Sequence, residues 1–545
     1  MTGLSTSTAE VAGGYLPHIL LGIYMLMLVG LCIVGYLKGK ATEEDYYLAG
    51  RGQGTLVTSL TLMATFFSSA ALLGIPGIVY RDGASFFLFA LNLPVAGLAI
   101  YLLGDRMRKL GKARGYVTPA DLVGDYYGGS AIRILAAITS ALYVLPYVIM
   151  QVKAGGYLAQ RLFPDTPPLE FLGSSFTMYE SGVWALSLLT MAYVLVGGMR
   201  SVAWTDVIQG ILLLFGMMVA GLATLVHFGG LSGYFEAVAD LPAKALSAPG
   251  NSGKWNAGML CTICVFASLG AIIQPGQWMR FYAARSSDTL RRSSLVFAIV
   301  LPICFLFGIM LVALGGQVLF PVEITAEGVM PHLDIGSQAK EVDQVVIVMI
   351  QQVVPEMLGV TLGAIVVTLV LIAVLAASMS TADSNLHALS AVVTRDVYAR
   401  FVRPRSGDRE RTWVGRAVIV LTTMAAVILV EWSELAGDFN PLELISQLML
   451  LAIAFSSQLL PIAIDVLFLN KGTRQGAVAG VGAGIVSVVL FTIKPEWSLG
   501  VTGFIDKSAV GIAVNVVVFV AVSRLTQKVG RERIDEFRSI IKGKG

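Results

Sequence analysis

The stretch Ala377-Ser-Met-Ser-Thr-Ala-Asp-Ser384 places polar side chains directly after a nearly uninterrupted apolar run, Leu358 to Leu375. A hydroxyl or carboxylate in hydrocarbon is costly unless it has a partner, so such groups usually line an ion or substrate path. Four side-chain oxygens lie within about one helical turn of each other, those of Ser380, Thr381, Asp383 and Ser384. Na⁺-like cations prefer oxygen ligands to Cys or His. The stretch therefore predicts a cation site at membrane depth.

The composition around this stretch is that of a polytopic membrane protein. Of the 545 residues, 56% are hydrophobic and only 13% are charged, far more apolar than a soluble domain needs to be. We therefore predict an all-α membrane protein in contact with membrane lipid. The net charge of +3 is small and dispersed, which argues against nucleic acid as a partner. The connections between apolar runs are too short for a soluble domain, so we expect no enzyme and no obligate protein partner.

Apolar windows of about 20 residues, the length that crosses a bilayer as a helix, predict thirteen transmembrane helices in a single transporter domain, 1–545. They lie near 16–37, 55–80, 84–105, 132–160, 179–198, 203–227, 257–280, 292–320, 357–390, 414–432, 440–469, 474–494 and 508–526. We divide them into an extra N-terminal span (16–37), two five-span blocks (55–227 and 257–469) and two C-terminal spans (474–526). A cytoplasmic tail follows (527–545).

The distribution of Lys and Arg predicts the orientation. With the N-terminus outside, the inside segments hold 30 of the 38 Lys and Arg residues and the outside segments seven. Cytoplasmic loops carry such an excess of positive charge. The N-terminal region lacks the basic start of a cleavable signal, so we expect the first span to be retained. We predict a bacterial cytoplasmic (inner) membrane protein with a cytoplasmic C-terminus.

Two of the predicted spans look interrupted. The second span contains Ser68 and Ser69 followed by Gly74-Ile-Pro-Gly77, and the seventh contains Gly270 followed by Gln274-Pro-Gly-Gln277. These spans are the first members of the two five-span blocks. Breaks at corresponding positions of two halves indicate a transporter built from inverted repeats, with its site near the midplane. Kinks in ordinary spans are the alternative.

Several motifs together resemble the sodium/solute symporter family. They are Ala377-Ser-Met-Ser-Thr, Val393-Thr-Arg-Asp-Val-Tyr398, Gly74-Ile-Pro-Gly and the segment from Val196 to Gln209. The resemblance covers almost the whole chain. It implies thirteen spans, a five-plus-five inverted repeat with helices broken at the midplane, and Na⁺-coupled symport by alternating access.

The resemblance also implies a Na⁺ site between the predicted spans 357–390 and 55–80. Its ligands would be the carbonyls of Ala64, Phe67 and Ala377 and the hydroxyls of Ser380 and Thr381. Five neutral oxygens can replace water around a small monovalent ion without holding it too tightly to leave. The alternative for the two hydroxyls is back-bonding to a carbonyl one turn earlier.

Some members of the family bind a second cation with an aspartate that matches Asp206. Ser380 and Ser384 match the serines that assist it, but Asp383 stands where those members have a serine. A second site would therefore comprise Asp206, Asp383 and Ser384. The alternative is a structural hydrogen bond or an ion pair of either aspartate with Lys153.

Lys153 is the one cation that cannot be placed in a loop. A charge within a span needs a partner, which could be a carboxylate of the solute or an internal acid. The side chain could also extend toward a membrane interface. Tyr147 and Gln151 lie within two turns of Lys153, and we expect them to line the same solute cavity. We place five further polar or aromatic residues around the solute, because the family's matching spans contribute substrate contacts, namely Gln274, Gln277, Trp278, Ser457 and Gln458.

Within the family, the segments 115–122, 145–152 and 275–292 are most similar to bacterial monocarboxylate permeases and pantothenate/sodium symporters, which favours a small organic anion as solute. Proline is disfavoured, because aromatic residues of the proline symporter's pocket are replaced here by Ala267 and Ala271. An H⁺-coupled symporter using His387, or a solute sensor, is the alternative function.

Overall fold

The structure is a computed structural model that describes residues 15–39, 42–163, 166–171, 173–325, 328–330, 339–435, 445–498 and 500–543. Residues 1–14, for which we predict an outer location, lie outside the described residues. The last two residues of the predicted tail and the start of the predicted span 440–469 also lie outside them.

The described chain is almost entirely helical, because apolar residues in hydrocarbon must satisfy their backbone hydrogen bonds internally. The α-helices are Leu16–Leu37, Glu43–Leu48, Thr55–Phe66, Ile75–Asp82, Asn92–Ala99, Asp105–Arg114, Pro119–Tyr127, Ser130–Leu162, Met178–His227, Leu231–Ala239, Ala243–Leu246, Ala257–Ile272, Pro275–Ala283, Ser287–Phe305, Leu311–Leu319, Val345–Leu358, Val360–Val392, Asp408–Leu435, Ile445–Ser456, Leu460–Ile464, Arg474–Ile493, Val501–Phe504, Lys507–Leu525 and Arg531–Lys542.

Short helical turns and two small hairpins complete the described chain. Turns with wider, π-type hydrogen bonding continue several helices, as at Ala70–Gly74 and Val393–Val402. The antiparallel strands Leu169–Phe171 and Ser174–Phe176 form one hairpin, and Glu323–Thr325 and Gly328–Met330 form the other.

Ten of the described helical segments are long and apolar enough to cross a membrane, or twelve if two bent pairs each count as one span. This criterion does not reproduce the predicted thirteen, because the predicted spans 179–198 and 203–227 form one helical run, Met178–His227, of 50 residues. We call this run the kinked helix, since Gly198 within it has φ 58° and ψ −165°. An added Cβ at Gly198 would lie 2.7 Å from the Tyr46 ring, so both the backbone and the space favour glycine.

Both predicted interruptions are present. The first broken span consists of Thr55–Phe66 and Ala70–Asp82, which meet at 57°, and the second consists of Ala257–Ile272 and Pro275–Ala283, which meet at 54°. The first breaks beside Ser68 and Ser69, and Gly74 to Gly77 continue its second helix. The second breaks just before Pro275, which occupies the first turn of the next helix, where a missing N–H is harmless.

Val360–Val392, which we call the motif helix, lies at the centre of the bundle. Every residue from Val370 to Val392 is buried, whereas the peripheral helix Leu16–Leu37 buries only five side chains. The motif helix packs against the kinked helix, Ser130–Leu162 and the first broken span. The polar residues between Ser378 and Ser390 are thereby enclosed by protein rather than facing lipid.

Candidate sodium and solute site

The break in the first broken span leaves main-chain oxygens without their usual helical partners. Thr55–Phe66 ends where Phe67 adopts an extended conformation, with φ −87° and ψ 100°, and the last helical bond runs from the Phe67 amide to Met63 O at 2.8 Å. The last four carbonyls of a helix have no partner within it. Those of Ala64 and Phe67 belong to this set.

Two hydroxyls of the motif helix point at one of these oxygens. Ser380 Oγ lies 3.1 Å from Ala64 O and 3.0 Å from Ala377 O, and Thr381 Oγ1 lies 3.3 Å from Ala64 O. The motif helix and the break are therefore in direct contact. The back-bond from Ser380 to Ala377 exists as well, but it accompanies the contact across the helices and does not replace it.

This cluster has the chemistry that a small monovalent cation requires. Four of the five predicted ligands, the Ala64 and Ala377 carbonyls and the Ser380 and Thr381 hydroxyls, are brought within hydrogen-bonding distance of at least one other member. Phe67 follows Ala64 by three residues at the same break and is fully buried. The donor set is hard oxygen, neutral and shielded from water, which suits Na⁺.

One turn further along the motif helix lies a buried ion pair. Arg280 Nη2 donates to Asp206 Oδ2 at 2.9 Å, and neither side chain has any exposed surface. Arg280 Nε donates to Thr61 Oγ1 at 2.8 Å, and Nη1 donates to Gly276 O at 3.0 Å. Thr61 also donates to the Asp206 carboxylate. The pair joins the kinked helix to both broken spans.

Ser384 connects this ion pair to the candidate Na⁺ ligands. Arg280 Nη2 donates to Ser384 Oγ at 2.5 Å, and that hydroxyl lies 2.5 Å from Ser380 O. Asp383 accepts from Tyr193 at 2.7 Å and lies 3.0 Å from the Ser384 hydroxyl. The predicted second cation site, Asp206 with Ser384, thus already has a cation in it, the guanidinium of Arg280.

This arrangement differs from the prediction in one respect. Arg280 is the first residue of the segment 280–292, which the count of Lys and Arg places inside, yet its side chain is fully buried and pairs with Asp206. The sequence did offer a signal. Arg280 follows Pro275 by only five residues, so it lies less than two helical turns from the break and within membrane depth.

Gln151 and Ser69 meet on the other side of the first break. Gln151 Oε1 accepts from the Ser69 hydroxyl at 2.8 Å and from the Ser69 amide at 3.1 Å. Tyr147, one turn before Gln151, stacks on Tyr143 with ring centroids 4.8 Å apart. Both predicted solute residues therefore lie at or near the break, next to freed backbone groups.

The predicted residues of the second broken span have separate roles. Gln274 caps the helix that begins at Pro275, its side chain accepting from the Gly276 amide at 2.7 Å. Gln277 Nε2 donates to Leu62 O at 3.0 Å and so links the two broken spans, while its Oε1 has no hydrogen-bond partner among the described residues. Trp278 donates to Tyr282 on its own helix at 2.8 Å. Of the three, Gln277 has a free acceptor for a solute.

Gln458 and Ser457 form their side-chain hydrogen bonds with groups outside the two breaks. Asn515 Nδ2 donates to Gln458 O at 2.9 Å and lies 3.3 Å from its Oε1, and Ser457 bonds back to Ala454 O at 2.8 Å. The Gln458 side chain therefore contacts the helix Lys507–Leu525, whereas its contact with solute stays a prediction. Its neighbour Ser456, which the sequence did not single out, bonds instead to Gly270 O at 2.8 Å.

Lys153 and His387 are both buried in the bundle. Lys153 has no exposed surface, and its side chain interacts with another group inside the protein. His387 packs between the rings of Tyr46 and Tyr47, each 5.2 Å away, and neither ring nitrogen has a hydrogen-bond partner among the described residues. This environment favours packing over proton transfer for His387.

A charged network at the Lys- and Arg-rich end of the bundle was not predicted. Arg395 Nε donates to Asp121 Oδ2 at 2.8 Å, and its Nη1 donates to Glu43 Oε1 at 3.2 Å. Burial alone would raise the pKa of the Asp121 carboxyl, but Arg395, the amides of Val117 and Thr118, and Arg133 hold that pKa below its usual range. The network ties the motif helix's extension to the segment 115–121.

Comparison with known proteins gives consistent matches along the chain. The profile of the Sodium:solute symporter family matches residues 46–484. The chain is 27% identical over 510 residues to the sodium/proline symporter of Escherichia coli strain K12, covering 90% of this chain and 93% of that protein. It is 24% identical over 474 residues to the sodium/pantothenate symporter of Haemophilus influenzae, covering 86% of this chain and 89% of that protein.

Among solved structures, the substrate-bound outward-open state of a Na⁺-coupled sialic acid symporter matches with a TM-score of 0.71. The match covers 95% of this chain and 99% of that one at 18% sequence identity. At that identity the likeness establishes the transporter fold.

Proposed function

The chain belongs to the sodium:solute symporter family, and from this premise we propose that it imports a small solute carrying a carboxylate, with one Na⁺ ion for each solute molecule. It is a transporter and not an enzyme, and Na⁺ is its coupling ion. The observation that carries the proposal is the contact of the Ser380 and Thr381 hydroxyls with Ala64 O across the first break.

We assign the Na⁺ ion to these three oxygens together with the carbonyls of Ala377 and Phe67. The ligands come from two elements, the motif helix and the first broken span, which are more than 300 residues apart in sequence. An ion bound between them holds the two elements together. Coupling follows if this contact is stronger in the state that binds solute, because a ligand shifts only equilibria between states that it binds unequally.

The ion pair of Arg280 and Asp206 supports the one-to-one stoichiometry. The carboxylate that would serve a second Na⁺ already has a permanent cation 2.9 Å away, held by four hydrogen-bond acceptors in all. A second Na⁺ there would have to displace a fully buried guanidinium or sit beside it against Coulomb repulsion. For a zwitterionic solute with no net charge, such as proline, one Na⁺ per solute moves one net positive charge inward. The membrane potential then contributes about 2.3 kcal/mol per 100 mV to uptake.

For the solute, we propose a pocket between the two breaks, lined by Ser69, Tyr147, Gln151 and Gln277. Freed amide groups at helix breaks suit a carboxylate, and the unpartnered oxygen of Gln277 would suit an ammonium or hydroxyl group. Proline and pantothenate both carry a carboxylate, and the identity to the proline symporter is the higher of the two reported, 27% against 24%. Proline is therefore the first solute to test, despite Ala267 and Ala271.

The deciding experiment is uptake into proteoliposomes under an inward Na⁺ gradient. The panel comprises labelled proline, pantothenate, pyruvate, lactate and acetate, with a K⁺ gradient and a pH gradient as controls. We expect accumulation of one carboxylate with Na⁺ alone, and one ²²Na⁺ entering per solute molecule. Accumulation driven by the pH gradient without Na⁺ would replace Na⁺ coupling with H⁺ coupling. Two ions per solute would contradict the role given to Arg280.

A further inference from the structure

A cavity of about 800 Å³ lies at the basic end of the bundle, away from the breaks. Its walls come from the ends of the helical segments Ala84–Arg114, Ser287–Leu319 and Ile445–Leu469 and from the C-terminal helix Arg531–Lys542. Five of the lining residues are basic, namely Arg106, Lys109, Arg291, Arg538 and Lys542, and only Asp105 and Asp288 are acidic.

The two acids do not neutralise the cavity. Asp105 pairs with Arg108 and Lys109, each at 3.0 Å, and Asp288 pairs with Arg292 at 2.8 Å. Within the part of the chain that the structure describes, the four remaining cations form no ion pair. Arg106 donates to Leu467 O and Arg538 donates to the Asn470 side chain, both at 2.8 Å, so these two are held in place by neutral groups.

One wall of the cavity is apolar and open to the surroundings of the bundle. Tyr101, Leu102 and Phe468 line it, and these side chains are 50%, 46% and 37% exposed. They lie on membrane-spanning helices just before the basic residues begin, at the depth where acyl chains meet headgroups. Arg106 lies 4.1 Å over the Phe468 ring, so the charged and apolar walls adjoin.

We propose that this cavity binds the headgroup of an anionic phospholipid, with an acyl chain against Tyr101, Leu102 and Phe468. Basic pockets between transmembrane helices at the cytoplasmic side are suited to such headgroups. A soluble phosphate would use the cations but leave the apolar wall without a function, so the lipid fits more of the site. The bound lipid bridges Arg106 and Arg291 of the membrane domain to Arg538 and Lys542 of the C-terminal helix.

The C-terminal helix is already anchored on its other face. Phe537 is fully buried and lies 5.2 Å from the Tyr126 ring, while Arg533 Nη1 lies 3.4 Å from Asp125 Oδ1. Protein contacts therefore hold this helix on one face, and the bound lipid would hold it on the other. Binding should raise the melting temperature of the whole protein, because it adds a ligand to the native state alone.

The test is native mass spectrometry of the purified full-length protein in detergent, titrated with phosphatidylglycerol. Phosphatidylcholine with the same acyl chains is the lipid control, and inorganic phosphate and glycerol phosphate are added as soluble competitors. The variant is Arg291→Gln/Lys542→Gln, since both side chains are exposed and form no hydrogen bond within the described structure, so folding is not at risk. The matched control is Arg405→Gln/Arg409→Gln, two exposed cations outside the cavity.

We expect the wild type and the control variant to retain phosphatidylglycerol in preference to phosphatidylcholine, and the cavity variant to bind it roughly tenfold more weakly or worse. If phosphatidylglycerol binding is weakened equally in both variants, general surface charge explains the effect and the proposed site is wrong. Unchanged binding in the cavity variant would overturn it as well. Displacement of the lipid by millimolar phosphate or glycerol phosphate would identify the cavity as a soluble-anion site and overturn the lipid assignment.

Discussion

Arg280 Nη2 lies 2.9 Å from Asp206 Oδ2, and both side chains are completely buried beside the polar motif of the central helix. The same nitrogen reaches Ser384, one turn after the candidate Na⁺ ligand Ser380. A protein cation and the proposed site of a transported cation are thus neighbours along one helix. The pair fixes three elements around the site and, in our proposal, sets the number of ions carried.

Loss of one partner of this pair should be strongly destabilising. Arg280→Gln leaves a buried carboxylate without its cation, a change that costs about 3–5 kcal/mol. Asp206→Asn/Arg280→Gln removes both charges and should recover most of that stability. The measurement is the thermal unfolding of the purified variants in detergent. Equal destabilisation of the single and double variants would show that the charge pairing is not what holds this region.

Removal of either hydroxyl from the proposed Na⁺ site should weaken the binding of the ion. Ser380→Ala and Thr381→Ala should each raise the Na⁺ concentration for half-maximal uptake roughly tenfold or more, since contacts to charged groups contribute about 1.5–3 kcal/mol. Ser378→Ala is the matched control, because Ser378 is buried on the same helix but bonds only to Val374 O. The site assignment fails if all three variants keep the Na⁺ dependence of the wild type.

Two of the four glutamines that we predict around the solute, Gln151 and Gln458, should behave differently when substituted. Gln151→Ala should raise the KM for solute, because Gln151 organises Ser69 at the first break. Gln458→Ala should leave KM unchanged and lower stability by about 1 kcal/mol, since the lost side chain contacts Asn515 Nδ2 through Oε1 and Ala454 O through Nε2. Initial uptake rates over a range of solute concentrations give both values. A raised KM in Gln458→Ala alone would reverse the assignment.

The charged network of Arg395, Asp121 and Glu43 should make the stability of the protein depend on pH. The pKa of the Asp121 carboxyl lies below its usual range in the folded protein. The stability that the ionised carboxylate adds is therefore fully present above the unfolded pKa of about 3.9, and it is lost as the pH falls through the lower folded pKa. Arg395→Gln removes the positive charge that lowers the Asp121 pKa most. The pKa should rise, and stability should fall by about 2 kcal/mol at pH 7. In this variant stability should therefore fall less than in the wild type as the pH decreases through the acid range, because the folded-state pKa of Asp121 lies closer to the unfolded value.

Thermal unfolding from pH 7 down to pH 2 measures this effect. Arg403→Gln is the control, because Arg403 is 66% exposed and pairs only with Glu410, and such surface pairs contribute about 0–1 kcal/mol. Parallel pH profiles for Arg395→Gln and the wild type would contradict the role of Arg395.

Features of this protein that depend on local chemistry could be predicted from its sequence. The length of each apolar run predicted where helices cross the membrane, since a hydrocarbon core requires about 20 residues per helix. Polar and Gly-Pro segments predicted the two broken spans, because a proline or an unsatisfied backbone group disrupts a helix only within a few residues of itself. The match of Ser380 and Thr381 to Ala64 came from the family resemblance, and their proximity is seen in the structure.

The pairs of side chains that meet could be identified only from the folded arrangement of the helices. Asp206 is 74 residues from Arg280 and Gln458 is 57 residues from Asn515, and no local pattern encodes such pairings. Helical periodicity states which residues share a face, but the neighbour of that face follows from how whole helices pack. A buried charge must find its partner wherever the packing places one. For this reason Asp206 could be singled out from the sequence, whereas its pairing with Arg280 could not.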